Sequence, residues 1–393
     1  MPRDTPLETR ACARPLVASA RRVVVKLGTR VLTHADGRLA LARLFSVVEA
    51  VRRMTDAGRE TIVVSSGAVG LGREALKLNQ SPLELAQRQA CAAVGQTRLM
   101  SLYEAGFAQL GLHTAQVLLT ESDFDDRVRY LNLRNTLLTL LQFGVIPVIN
   151  ENDAVSVEEL AWTEGTDDTR PVFGDNDKLS ALVATKLDAD LLVLLTDVDG
   201  LFDRDPRGVE TAQLLSTLDP DGEGGVMAGG STSGVGRGGM RSKLDAARIA
   251  ARSGCHAVIA SGVRPGTLGR ILDGEEEGTW VPAKPGMPAR HRWIAWATAP
   301  RGTLYIDDGA VRALRDRGAS LLAAGVSRIE GHFRAGEVVE IRSLHGRRVG
   351  RGIAVCDQDA ARSWCAGERP AFARNHHALI QRDNLVLDPE TEG

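Results

Sequence analysis

Six short apolar runs, each separated from the next by a segment of helical period, leave this chain few ways to fold. Val23–Val25, Thr61–Val64, His113–Leu119, Val145–Asn150, Leu191–Thr196 and Ala257–Ala260 read as buried strands. Between the first two, Leu44, Val47, Val48, Val51 and Met54 fall on one helical face within Leu39–Met54, and the pattern stops near Gly58. Pro82 to about Leu110, Val128–Phe143, Lys178–Leu187 and Met240–Arg252 read as further helices, with Pro82 suited to a first turn. Strands that alternate with helices and are apolar on both sides predict an α/β fold: a mainly parallel open sheet covered by helices on both faces.

The rhythm breaks between about Gly274 and Arg290, where EEEG and Pro282, Pro285 and Pro288 read as a linker. Beyond it the segments shorten and become β-rich: Trp293–Ala297, Thr303–Ile306, Arg328–Glu330, Glu337–Ile341 and Gly350–Val355, with one helix over about Gly309–Arg317. The expected division is a tail over 1–20, an α/β body over 21–281, a linker over 282–290 and a second, small β-rich domain over 291–388.

Composition narrows the function classes. A net charge of −2 in 393 residues gives no general attraction to nucleic acid or membrane. The five cysteines are scattered, without a Cys-x-x-Cys pair, as expected in a reducing compartment. The first 20 residues lack an apolar secretory core, and no run approaches the roughly 20 apolar residues of a membrane span, so a cytoplasmic location is expected.

Only 6 of the 48 basic residues are lysine, yet lysine stands at Lys26, at the end of the first strand before Gly28, and at Lys243, in a glycine-rich helix start. Lysine is the compact point charge suited to phosphate oxygens, and ligands of open α/β sheets bind at the carboxyl ends of the strands. Four other segments lie at strand ends or helix starts. Ser65–Ser66–Gly67 leads from the second strand into a helix, where backbone N–H groups and the helix end favour an anion. Asn150–Glu151–Asn152–Asp153 crowds polar groups at the end of an apolar strand. Gly174–Asp175–Asn176–Asp177 precedes a helix; Asp and Asn are preferred caps, but a cap needs one such residue and not three. Gly234–Lys243, GVGRGGMRSK, lets backbone amides approach phosphate without forming a P-loop, since G-x-x-x-x-G-K-[ST] is absent. Two lysines, two amide-rich turns and several carboxylates on one sheet edge point to nucleotide-dependent phosphoryl transfer. The chain lacks a G-x-S-x-G elbow, and no G-x-G-x-x-G follows the first strand, so acyl hydrolysis and dinucleotide binding lack support.

VVVKLGT, VVSSGAVG, AAVGQ, NENDAV, GDNDKLSALVA, LLTDVDGLF and GRGGMRSKLDAA occur in this order. Together they resemble the glutamate 5-kinases of the amino acid kinase superfamily over about Arg21 to Val281. RGTLYIDDGAVRAL, GASLLAAGV and RDNLVL resemble the PUA domain that many bacterial members carry. The resemblance implies the amino acid kinase fold and transfer of the ATP γ-phosphoryl group to the γ-carboxylate of L-glutamate, with ATP and Mg2+ as cofactors. Carried over by position, Lys26, Lys243 and Asp153 form the catalytic group, and Ser66, Asp153 and Asn176 bind glutamate. Lys26, Gly28, Thr196, Asp197, Arg237, Gly238, Gly239, Met240, Arg241, Ser242 and Lys243 contact the nucleotide; no residue is assigned to the metal. Because a carboxylate is ionised at neutral pH, Asp153 is better cast as binding the amino group of glutamate, or orienting a lysine, than as a base. The family also implies a homodimer or homotetramer, proline as feedback inhibitor, and a separate glutamyl phosphate reductase as the next enzyme.

The sequence departs from that pattern at four places. Residues 161–171, AWTEGTDDTRP, look inserted; Arg237 and Ser242 stand where Thr is usual. The second domain looks shortened after Val355 and reads VCDQDAARSW in place of the usual Asn-Tyr-Ser-type motif, which argues against an RNA role. The competing readings are another amino acid kinase, acting on acetylglutamate or aspartate, and an RNA-binding regulator with a degenerate kinase core. NENDAV and the attached domain oppose the first, and the intact lysines and acidic residues oppose the second.

Overall fold

The computed structural model describes residues 14–34, 38–78, 83–120, 122–125, 127–155, 176–204, 206, 211–222, 239–284, 294, 300–368 and 378–388. The chain divides into two compact units, 1–286 and 287–393.

In the first unit the elements run α1 (Pro15–Ala18), β1 (Arg22–Leu27), α2 (Thr29–Leu32), α3 (Leu41–Asp56), β2 (Glu60–Ser65), α4 (Ala68–Ala75), α5 (Leu85–Gln109) and β3 (His113–Leu119). There follow α6 (Ser122–Asp125), α7 (Arg127–Gln142), β4 (Val145–Glu151), α8 (Asn176–Lys186), β5 (Leu191–Thr196), α9 (Met240–Arg252), β6 (His256–Ser261), α10 (Thr267–Leu272) and β7 (Thr279–Val281). The sheet order is β3-β4-β2-β1-β5-β6-β7, parallel throughout except for β7, which pairs antiparallel with β6. All six expected strands form. The seventh, three residues long, carries too little pattern to be read from sequence.

β1 sits between β2 and β5, with Val25 level with Val63 on one side and Val193 on the other. Strand side chains alternate between faces. Val23, Val25 and Leu27 pack with Leu44, Val48 and Val51 of α3, Leu99 and Tyr103 of α5, and Ile271 of α10 in one buried cluster. Lys26 projects from the opposite face, where α8 lies against β1 and α9 packs beside α8, β5 and β6. The helix after β1 and the helix after β5 thus cover opposite faces, which opens a crevice between the carboxyl ends of these two strands.

The segment expected as a tail is structured in its last part. Val17 is fully buried, and the Arg14 guanidinium donates to the backbone carbonyls of Ser216, Glu277 and Gly278. The start of the expected linker is also tied down: the Ala283 amide donates to His256 Nδ1 at 2.9 Å, and the Lys284 amide to the Ala251 carbonyl at 2.9 Å. Residues 161–171 lie outside the described residues.

The second unit contains β8 (Gly302–Ile306), α11 (Asp308–Arg317), β9 (Val326–Gly331), β10 (Val338–Ser343), β11 (Arg348–Ile353), α12 (Gln358–Cys365) and β12 (Leu385–Leu387). Its sheet order is β12-β11-β10-β8-β9, with only β10 and β8 parallel. Leu304, Ile306, Leu314, Val339, Ile341, Leu379 and Ile380 form its core. Asp307 and Asp357 accept the Ala310 and Ala360 amides at 2.7 and 2.9 Å, capping α11 and α12. The chain after Val355 builds α12 and β12, which lie outside the expected elements. Of the expected strand at Trp293–Ala297 only Ile294 is described, and it is buried.

Candidate active site

Lys26 and Lys243, 217 positions apart in the chain, meet on one carboxylate. Lys26 Nζ lies 2.6 Å from Asp177 Oδ1, and Lys243 Nζ lies 3.1 Å from Asp177 Oδ2. Asp177 has no exposed surface, and both lysines are buried. Ser242 Oγ donates to Asp177 Oδ2 at 2.8 Å, so the hydroxyl that replaces the usual Thr has a partner. Each element contributes by its position: β1 ends at the sheet edge, Asp177 is the second residue of α8, and Ser242 and Lys243 lie in the first turn of α9. Burial pushes the Asp177 carboxyl up, but the two ammonium charges and the hydrogen bonds from Lys26 and Ser242 outweigh it. They hold the carboxyl well below the usual range. One buried anion thus fixes two cations.

Thr196 and Asp197 stand at the end of β5, across the crevice from Gly28. The Gly28 amide donates to the Leu195 carbonyl at 3.1 Å, which locks the β1 exit against β5. Thr196 Oγ1 donates to Asp197 Oδ1 at 3.1 Å, and the Arg30 guanidinium lies 2.9 Å from Asp197 Oδ2. Partial burial raises the Asp197 carboxyl, while the bonds from Arg30, its own backbone amide and Thr196 bring it below its ordinary value. Gly239 caps α9, followed by Met240 and Arg241; Arg237 and Gly238 lie outside the described residues.

A second polar group lies at the ends of β2 and β4. Gly67, at φ +100°, turns the chain from Ser66 into α4, a backbone conformation that an L side chain rarely adopts. Ser66 is buried, and the neighbouring Ser65 Oγ lies 3.0 Å from the Tyr103 hydroxyl. At the end of β4, Asn150 Oδ1 accepts from the Glu151 backbone amide at 2.9 Å and from Asn176 Nδ2 at 3.1 Å, while its Nδ2 donates to Gln96 Oε1 at 2.8 Å. Asp153 faces Arg88 of α5 rather than a lysine. Burial raises the Asp153 carboxyl and Arg88 lowers it, with the net shift upward. The carboxylate that contacts both lysines is Asp177, and the cation whose charge acts on Asp153 is Arg88.

Sequence reasoning thus placed Lys26, Lys243, Ser242, Thr196 and Asp197 on one crevice, Ser66 and Asp153 just past adjoining strand ends, and Asn176 at a helix start. It singled out the Gly174–Asp177 segment but gave Asp177 itself no role. It also passed over Arg88, Gln96 and Tyr103 of α5. Their signal was the spacing of Arg88, Ala92, Gln96, Leu99 and Tyr103, a single helical stripe with polar members.

Among the described residues, no group of three or more His, Cys, Asp or Glu could hold a metal ion by itself. Mg2+ at phosphoryl-transfer sites is characteristically held by one or two carboxylates together with substrate phosphates.

Residues 21–261 match the amino acid kinase family, and residues 302–369 match the PUA domain, past the point where shortening was expected. The glutamate 5-kinase of Pseudomonas entomophila is 44% identical over 382 residues, covering 95% of this chain and all of that protein. The glutamate 5-kinase of Moorella thermoacetica is 42% identical over 384 residues, covering 95% of this chain and 98% of that protein. Among solved structures, the isopentenyl phosphate kinase of T. acidophilum is 18% identical with a TM-score of 0.46, covering 66% of this chain and 99% of that one. The UMP kinase of Bacillus anthracis is 16% identical with a TM-score of 0.44, covering 68% of this chain and 98% of that one.

Proposed function

This chain belongs to the glutamate 5-kinases of the amino acid kinase family, and from that membership we propose how its residues divide the work. The reaction moves the γ-phosphoryl group of ATP onto the γ-carboxylate of L-glutamate, giving L-glutamyl 5-phosphate, the first step of proline biosynthesis. A carboxylate oxygen forms the new bond to phosphorus, the bond to the bridging oxygen breaks, and the electron pair leaves on ADP. No proton moves, so no general base is required. The barrier is the approach of one anion to another.

Lys26 and Lys243 meet that barrier as paired charges on the transferring group, preorganised by Asp177 so that neither has to be gathered during the reaction. Thr196, Asp197, Gly28 and the 237–243 segment hold the nucleotide. Mg2+ bound together with the nucleotide would supply positive charge against the phosphates. Ser66, Asn176 and Asp153 hold glutamate, with Asp153 on its amino group. The meeting of Lys26 and Lys243 on Asp177 is the observation that carries this reading. ATP turnover with L-glutamate, N-acetylglutamate and L-aspartate, trapping the acyl phosphate with hydroxylamine, tests it. A hydroxamate from glutamate alone is expected, and one formed mainly from either other acceptor overturns it.

We extend the proposal to the whole chain: a kinase body over 21–281 and a PUA-like unit over 291–388, self-associated as a homodimer or homotetramer in the cytoplasm. Proline inhibits, and a separate reductase takes the acyl phosphate. No described helix is long and apolar enough to cross a membrane.

A further inference from the structure

We propose that Gln96 is a substrate-specificity residue whose Nε2 donates to the α-carboxylate of bound glutamate, the carboxylate that is not phosphorylated. The inference rests on the glutamate-kinase reading and adds to its site a residue from α5.

The orientation of every amide in this group follows from one backbone bond. Because the Glu151 N–H donates to Asn150 Oδ1 at 2.9 Å, the oxygen of Asn150 is identified, and its Nδ2 is the atom facing Gln96. That nitrogen donates to Gln96 Oε1 at 2.8 Å, which identifies the oxygen of Gln96 in turn. Asn176 Nδ2 donates to Asn150 Oδ1 at 3.1 Å, which identifies Asn176 as well. Among the described residues, two buried atoms of this relay have no partner: the donor Gln96 Nε2 and the acceptor Asn176 Oδ1. Gln96 is only 7% exposed. A buried donor without an acceptor is costly, and a native structure keeps one where a ligand will satisfy it.

One unsatisfied donor and one unsatisfied acceptor match an α-amino acid, which offers a carboxylate to the first and an ammonium group to the second. The order along the relay selects the carboxylate. Asn176 directly precedes Asp177, where the two lysines meet and where the reacting carboxylate must lie. Gln96 is at the other end, two amide bonds away. It also borders the turn that carries Ser66: a Cβ on Gly95 would lie 1.7 Å from the Ala68 carbonyl at the start of α4. Two helical turns earlier on the same stripe, Arg88 neighbours Asp153 and Glu151, so this face of α5 lines the site along its length.

Two variants of the full-length chain separate ligand contact from support of Asn150. Q96M removes both hydrogen-bonding atoms at similar size. Q96E keeps an acceptor for Asn150 and replaces the amide donor with a carboxyl, which donates only when protonated. The expected result is a KM for glutamate raised about tenfold or more in Q96M, the range for one hydrogen bond to a charged group, with the KM for ATP within about twofold of wild type. In Q96E the KM for glutamate climbs with pH relative to wild type at the same pH, as the introduced carboxyl ionises against the ligand. If Q96M fails to fold, Q96E decides. A KM for glutamate in Q96E that matches wild type at every pH overturns the proposal. Should wild type itself form no hydroxamate from glutamate, the underlying reading fails instead, and the two failures are told apart.

Discussion

Asp177 combines a structural and a chemical task, and both can be measured. Removing its charge as Asp177→Asn takes away the carboxylate that both buried ammonium groups contact. Breaking a buried ion pair on one side characteristically costs about 3–5 kcal/mol, so a urea midpoint far below wild type at pH 7 is expected. The pH dependence has a definite sign. A carboxyl held low in the folded state contributes stability above its unfolded pKa of about 3.9, and that contribution is lost as pH falls below it. Urea midpoints of the wild type should therefore drop between about pH 4 and pH 3 more steeply than those of Asp177→Asn; parallel slopes would remove Asp177 as the source. The lysines themselves are tested by turnover. Lys26→Ala and Lys243→Ala should each lower kcat by at least about 10²-fold, the scale of losing one charge-stabilising donor, and near wild-type turnover in either would exclude it from the chemistry. At this scale the lysines were legible because an arginine-rich chain keeps lysine beside glycine at two strand and helix ends. The role of Asp177 was not, because its segment stood out but its partners, Lys26 and Lys243, are distant in sequence.

At the level of elements, the site depends on how closely α4 and α5 approach. A Cβ on Gly72 would lie 1.8 Å from the Cys91 carbonyl, and one on Gly95 would lie 1.7 Å from the Ala68 carbonyl. The two helices touch backbone to backbone, which brings Gln96 and Tyr103 up to the ends of β2 and β4. Gly95→Ala must push the helices apart or displace the Ser66–Gly67 turn, and overpacking of this kind costs about 1–3 kcal/mol or more. A melting temperature lowered by several degrees together with a raised KM for glutamate is expected. Gly70→Ala, in α4 with open space at its Cβ, serves as the control and should melt at or above the wild-type temperature. The β1–β6 core was readable because its strands are uniformly apolar, and α3 because its stripe is regular. β7, β12 and α12 escaped because three-residue strands and an eight-residue helix are too short for a pattern to stand out, their stability coming from neighbours.

For the molecule as a whole, every residue proposed to touch substrate or nucleotide belongs to the first unit, 1–286, and the second unit closes a core of its own. The last residues of the first unit before the boundary are anchored within it: β7 pairs with β6, and the Lys284 ammonium lies 2.7 Å from Asp221. Cutting after Gly286 therefore severs no strand pairing of the seven-stranded sheet and keeps the contacts of Lys26 and Lys243 with Asp177. A chain ending at Gly286 should retain kcat and the KM for ATP within a few-fold of the full-length protein. The comparison is hydroxamate formation by the two chains at matched folded fraction. A loss of 10²-fold or more, the size reserved for removing a charge-stabilising group, would mean that the second unit supplies part of the reacting site and that the division of labour proposed above is incomplete.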